Sequence, residues 1–137
     1  MPLNINQITE RIIGCGFRVS NQLGVGFLEK VYENALAYEL RKSGLEVRQQ
    51  FPTPVYYDGF QVGDYVADLL VEKTVLVELK AVHAVDDVHF AQCLNYLKAT
   101  GLPVCLLLNF GVPELFVKRI VGKEYQEPQL PRGLKRK

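Results

Sequence analysis

Residues 63–81, GDYVADLLVEKTVLVELKA, constrain this chain more than any other stretch. They read as two strands, 65–71 and 75–80, joined by a short polar turn at Glu72-Lys73-Thr74. Asp68, Glu78 and Lys80 stand in this apolar hairpin, where a plain structural strand would hold no charge. Alternation puts Glu78 and Lys80 on one face of their strand and Val75, Val77 and Leu79 on the other. Nine residues separate Asp68 from Glu78. A turn with an odd number of residues sets the two carboxylates across from each other on one face. A two-residue turn at Glu72-Lys73 instead pairs Asp68 with Val77 and puts the carboxylates on opposite faces. The turn has no Asn-Gly or Asp-Gly, which favours the longer loop. In the facing register the two Cβ atoms are expected roughly 4.5–5.5 Å apart. Both groups then reach one small hard cation such as Mg²⁺, with Lys80 one pleat beyond it.

The remaining bounds come from length and charge. At 137 residues the chain is expected to form one domain over 1–122 with its own core, followed by a polar basic tail over 123–137. No apolar run approaches a membrane span, and the opening MPLNINQITE lacks a basic-then-apolar leader pattern. Cys15, Cys93 and Cys105 are scattered among apolar neighbours, which reads as reduced core thiols in a cytoplasmic protein. The net charge of +1 is uneven: four basic residues against one acid give +3 from Gln126 onward, leaving −2 on the body. A global basic field for nucleic acid is absent, so affinity would have to come from local groups or the tail.

Taken in order, the apolar side chains Ile5, Ile8, Ile12, Cys15, Val19 and Leu23 recur at helical spacing over residues 4–22, with Asn4 and Gln7 as a capping box. A break at 23–26 leads into a second helix over 27–42, stopped at Ser43-Gly44. Its apolar face takes in Leu28, Val31, Tyr32, Ala35, Leu36, Tyr38 and Leu40, wide enough to predict packing on more than one side. Glu39 lies near the middle of that face and needs a partner. Strand 47–57, interrupted by Pro52 and Pro54, is predicted at a sheet edge, paired to the next strand through the Asp58-Gly59 turn. After a linker at 81–85, Asp86 or Asp87 caps a third helix ending near Thr100-Gly101. Phe90, Cys93, Leu94 and Leu97 are its expected packed stripe, with His89, Gln92 and Tyr96 as a polar stripe beside it. His83 and His89 read as a solvated loop residue and a helix-start residue. Residues 103–109 read as a buried strand and 115–121 as a last one. The order α-α-β-β-β-α-β-β implies an α/β (α+β) fold, a mixed central sheet of about five strands flanked by helices.

These elements resemble the PD-(D/E)xK nuclease superfamily and its restriction-endonuclease-like core, with Asp68 and Glu78-x-Lys80 on consecutive strands. The likeness runs from about Ile8 to Val121. More closely, the chain resembles the small bacterial and archaeal family named for a G-x-x-E-x-x-Y motif, here Gly26, Glu29 and Tyr32. The resemblance implies metal-dependent phosphodiester cleavage of DNA or RNA. It assigns Asp68, Glu78 and the backbone carbonyl of Leu79 to Mg²⁺ (or Mn²⁺), and Lys80 to the attacking water and the phosphate charge. Glu29 becomes a further acid of the site, and Gln92 a contact to phosphate or water, with Gly26, Tyr32 and Tyr96 in support. Ala67 departs from the pattern, standing where proline precedes the aspartate.

Residue by residue, blander assignments compete. Glu29 suits the first turn of any helix, where the dipole favours an acid, and Tyr32 suits a core. Asp68 and Glu78 would serve an exposed edge by pairing with Lys80 or Lys73. Two other functions use the same fold: a catalytically silent nucleic-acid-binding module, and a homodimeric assembly protein joined through its wide apolar N-terminal helices. Nucleic acid is the expected partner, and no membrane is.

Overall fold

Asn4 ends the extended N-terminus by capping: its side chain accepts from the Gln7 N–H at 2.8 Å, and the Gln7 side chain accepts from the Asn4 N–H at 3.0 Å. In this computed structural model, which describes residues 2–123, helix α1 (Ile5–Leu23) follows and buries Ile8, Ile12, Cys15 and Val19 on one line. Helix α2 (Glu29–Lys42) starts two residues later than the pattern predicts, because Phe27 lies in a bend and Leu28 is its extended N-cap. Strands β1 (Val47–Tyr57), β2 (Phe60–Val71) and β3 (Val75–Lys80) then form an antiparallel meander. Helix α3 (Asp87–Thr100) crosses over to β4 (Val104–Asn109), which runs parallel to β3, and β5 (Phe116–Val121) closes the edge. The sheet order is β1-β2-β3-β4-β5, so the proline-bearing strand is indeed an edge.

Strand β2 begins five residues earlier than the hydrophobic pattern predicts. Asp58 and Gly59, both at positive φ, make a tight two-residue turn whose twist suits a hairpin, and the ladder starts at once from Tyr57↔Phe60. The result is a long two-stranded arm whose outer part gains its order from cross-strand pairing rather than burial.

Each face of the sheet has its own core. Leu69, Val71, Val75, Val77, Leu79, Leu106 and Leu108 pack under α1 and α2, whereas Leu70, Leu76, Cys105, Leu107 and Ile120 pack under α3. The continuous apolar run of β4 is buried on both faces, as a central strand requires. Two packing expectations change. Helix α2 is covered on one side alone: Leu28 is 80% exposed and Tyr38 64%, because neither the sheet nor α1 reaches that far around it. On α3, Leu94 faces solvent and Tyr96 takes its place beside Cys93 and Leu97 in the core. The buried side of Glu39 is matched by Arg18 of α1 at 3.2 Å, the partner that carboxylate needed.

The segment after Lys80 is tied down from β4. The Asn109 side chain, buried, accepts from the N–H groups of Val82 and Gly111 at 3.0 Å each and donates to the Val82 carbonyl at 2.9 Å. Gly111 lets the two backbones touch: a Cβ there would fall 2.3 Å from both the N and the O of Val82. Gly111→Ala is therefore expected to cost about 3 kcal/mol in urea unfolding, because backbone rather than a pliant side chain must give way. Gly14→Ala, at a helix position with no atom within 4 Å of the added carbon, is expected to gain a few tenths to about 1 kcal/mol.

Candidate active site where two strands part

The turn between β2 and β3 has three residues, with Glu72 and Lys73 both in the left-handed region at φ 52° and 57°. It is braced against the start of β1: Glu46 N–H donates to the Glu72 carboxylate at 2.7 Å, and Glu72 N–H donates to the Glu46 carbonyl at 2.9 Å. The pairs Val71↔Val75, Leu70↔Leu76 and Leu69↔Val77 follow, and the same register brings Asp68 opposite Glu78. The ladder stops there. In its place the Asp68 N–H donates to Glu78 Oε1 at 2.9 Å, and the Leu79 N–H donates to Asp68 Oδ2 at 2.8 Å. Two carboxylates thus replace the backbone bonds at the point where the strands separate.

This differs from two side chains facing each other on one pleated face. Leu69 packs under α1 and α2, but Ala67 packs under α3, although an unbroken pleat would put both on one face. The side-chain sense of β2 turns over at Asp68, and its carboxylate lies in the gap between strands rather than upright beside Glu78. Glu78 itself keeps to the α3 side, as its neighbour Leu76 does.

Electrostatics follow from that placement. Burial pushes the Asp68 carboxyl up; the Leu79 N–H and Lys80 pull it down, while the charges of Glu33 and Glu29 push it further up. Burial, and then the charge of Asp68, raise Glu78 to about 9, against the pull of the Asp68 N–H and of Lys80. Both acids therefore resist ionising, and Lys80 alone is too little positive charge to offset them.

The donors fit a hard divalent cation. Each carboxylate has one oxygen engaged by a backbone N–H, leaving Asp68 Oδ1 and Glu78 Oε2. A strand residue sends its N–H and C=O to the same edge. The Lys80 carbonyl accepts from Phe110 N–H at 2.8 Å on the β4 side, whereas the Leu79 N–H points to Asp68, so the Leu79 carbonyl opens on the gap. Three oxygens of this kind suit an ion that completes its shell with water and phosphate. No cluster of three or more His, Cys, Asp or Glu side chains suited to a metal occurs among the described residues.

The other expected site residues divide. Glu29 is an exposed first-turn acid of α2, close enough for its charge to act on Asp68. Gln92 donates to the Tyr96 hydroxyl at 2.9 Å, and Tyr96, buried, is pushed up by desolvation and by the charge of Glu78, so this pair lies beside the carboxylates. Tyr32 is turned away into the core. It stacks on Phe110 at 4.8 Å between ring centroids, and its hydroxyl donates to the Gly24 carbonyl and accepts from the Phe27 N–H. Gly26, at φ 109°, serves the same corner. Tyr32→Phe is accordingly expected to lower stability by about 1–2 kcal/mol while leaving turnover within about twofold, read by thermal unfolding beside a rate assay. His83 is exposed, and His89 caps α3 by accepting from the Asp86 N–H at 3.1 Å.

Sequence reasoning missed Glu33. It is 3% exposed, and Lys30, Gln49 and Gln50 donate to it at 2.9, 2.7 and 2.7 Å. The available signal was its position four residues after Glu29, on the same line of the helix. Asn109 and Gly111, which hold the segment following Lys80, left no readable mark at all. Two cavities of about 580 and 600 Å³ lie along α3, between it and β5 and around its C-terminal end, and none of their lining residues belongs to the carboxylate group. The site is the gap where the interior strands β2 and β3 part.

No curated protein matches the sequence. Among solved structures, LHK-Exo in complex with dAMP superposes with a TM-score of 0.53 at 18% identity, over 87% of this chain and 69% of that one. The alkaline exonuclease LHK-Exo from Laribacter hongkongensis alone gives 0.49 at 14%, over 88% and 84%. The likeness to the dAMP complex is one of fold, and the five-stranded mixed sheet with its flanking helices is the restriction-endonuclease-like arrangement. A family model described as the PD-(D/E)XK nuclease superfamily matches residues 6–120, a span that includes the parting of β2 from β3. Through that match the chain belongs to the PD-(D/E)XK nuclease superfamily, whose members generally use divalent metal ions.

Proposed function

We propose that the protein is a Mg²⁺- or Mn²⁺-dependent phosphodiester hydrolase acting on DNA or RNA, within the G-x-x-E-x-x-Y branch of its superfamily. One observation carries the reading: Asp68, half-buried, and Glu78, buried, both resistant to ionising, are cross-braced by backbone N–H groups beside Lys80 and a strand carbonyl that opens on the gap. Asp68, Glu78 and the Leu79 carbonyl would hold the ion. When bound, it would polarise the scissile phosphoryl oxygen and acidify a water.

The chain's own groups do the rest. Lys80 holds or withdraws a proton from the attacking water and offsets phosphate charge. Glu29, exposed at the rim, is a further acid of the site, and Gln92, oriented by Tyr96, offers its amide to phosphate or water. Cys15, Cys93 and Cys105, all free and buried, support a reducing, cytoplasmic setting. Among the described residues no helix is long and apolar enough to cross a membrane. The exposed Phe27, Leu28 and Val31 supply an apolar surface that supports a homodimer, which light scattering would read. The basic tail lies outside the described residues, apart from Lys123.

The test is incubation with single- and double-stranded DNA and RNA, with and without free ends, in Mg²⁺, Mn²⁺ or chelator, beside Glu78→Ala and Lys80→Ala. Metal-dependent cleavage lost in both variants supports the reading. Cleavage that survives both marks contamination. Salt-sensitive binding without cleavage by the unaltered protein would leave a nucleic-acid-binding module.

A further inference from the structure

On β1, across from Asp68, stands a residue in strained backbone. β1 and β2 pair at Gln49↔Leu69 and again at Phe51↔Ala67, so Gln50 stands opposite Asp68 between them. Gln50 has φ 55°, a conformation that a side-chain-bearing residue adopts reluctantly. The faces exchange across this one pair. Gln49 reaches α2 and Leu69 packs under it, whereas Phe51 and Ala67 pack under α3. The turnover that swings Asp68 toward Leu79 is therefore shared by both strands and centred on Gln50.

Something must keep Gln50 in that state. Its own side chain is exposed and packs against little, but its amide donates to Glu33 Oε1 at 2.7 Å. Glu33 is itself immobilised: Oε2 accepts from Gln49 at 2.7 Å and from Lys30 at 2.9 Å. A buried helix carboxylate so fully engaged is a rigid anchor. Strained backbone held by surrounding structure is the pattern found where a side chain must be aimed.

We propose that Glu33 is a positioning residue: by gripping the amide of Gln50 it holds the left-handed turn in β1 that aims the Asp68 carboxylate at the Leu79 N–H and the metal-binding gap. The proposal deepens the nuclease reading for its second half, the gap's use, and stands independently of it for the first. Glu33 acts here through backbone geometry and not as a ligand.

Glycine separates the two roles, because it is at home at φ 55° without any grip. Gln50→Ala and Glu33→Ala each remove the grip and leave a residue that disfavours the turn. Gln50→Gly removes the same grip but not the turn. The direct readout is hydrogen exchange of the Leu79 amide, which donates to Asp68, measured on the full chain by NMR. Exchange about tenfold faster is expected in Gln50→Ala and in Glu33→Ala, within about twofold of the unaltered protein in Gln50→Gly, and restored in the Glu33→Ala/Gln50→Gly pair. Mn²⁺ affinity by calorimetry should follow the same order.

Leu79 exchange unchanged in Gln50→Ala overturns the proposal, and that variant changes only an exposed side chain, so it is informative even if Glu33→Ala does not fold. Mn²⁺ affinity lost in Glu33→Ala and not recovered in the pair also overturns it, making Glu33 a direct participant. An unaltered protein that shows the Leu79 pattern but binds no Mn²⁺ sustains the positioning and sinks the nuclease reading alone.

Discussion

Glu78→Gln will lower metal-dependent cleavage at least about 10³-fold, equivalent to about 4 kcal/mol of transition-state stabilisation. The substitution keeps the size of the side chain and an oxygen for the Asp68 N–H, which now bonds Oε1 at 2.9 Å. It removes the charge that a cation needs. Asp68→Asn is expected to fall as far, because each carboxylate has a single oxygen left for the ion. Lys80→Ala is expected to lose about 10²–10³-fold, since its proposed role is toward water and phosphate rather than the ion. The double variant Asp68→Asn/Glu78→Gln should be little worse than either single one, because members of one catalytic unit fail together. Single-turnover rates at saturating Mn²⁺ would check this set. A Glu78→Gln protein within tenfold of the unaltered rate, with its circular dichroism intact, would place the chemistry elsewhere.

The same carboxylate should make the metal-free protein lose stability as pH rises. Glu78 holds its proton up to about pH 9 in the folded chain, whereas its ordinary value is 4.5. Folding thus favours the protonated form. Its contribution is complete below about pH 4.5, fades as pH climbs through the interval, and is gone above about 9. Asp68 is shifted in the same direction, so the two share the effect. Between pH 5 and pH 8 the unaltered protein is expected to lose about 4 kcal/mol relative to Glu78→Gln, whose side chain cannot ionise. At pH 8 in chelator the variant should therefore be the more stable protein, although it is the dead enzyme. Mg²⁺ or Mn²⁺ should stabilise the unaltered protein more at pH 8 than at pH 5, since protons and metal compete for the same oxygens. Denaturant titrations of both proteins at pH 5, 6.5 and 8 would test it, and parallel stability curves would refute it.

Both results express one conflict between folding and function. Apolar β-strands drive the sheet together, and Glu78 is only 4% exposed within it. A charge at that place is costly until something positive arrives. The pull of Lys80 on Glu78 is outweighed by burial and by the charge of Asp68, which is why the pair reads as half of a metal site rather than as a buried ion pair.

Much of this was legible in residue order. The capping box at Asn4 and Gln7, the Asp58-Gly59 turn, the proline-marked edge strand and the two-sided apolar run of β4 are local signals, and each produced its element. They work because hydrogen-bond donors at helix ends, positive φ at tight turns and period-two burial are satisfied within a few residues. Boundaries strayed where pairing rather than burial extends a strand, as in the outer arm of β2. Tyr32 was open to two readings from its motif, and the packed structure gives it a structural place, stacked on Phe110 from the far end of the chain.

By itself, then, the sequence determined the order of elements and the presence of two acids and a lysine that no apolar hairpin needs, and it favoured without fixing the odd-membered turn after Val71. Only the tertiary structure decided where Asp68 points. That direction depends on Gln50 of another strand and on Glu33 of a helix, 18 and 35 residues before Asp68 in the numbering, and on contacts of 2.7 Å between them. Pleat periodicity is a property of one strand alone. The reversal that carries Asp68 into the gap is imposed by two elements packed against it, and nothing within β2 encodes it.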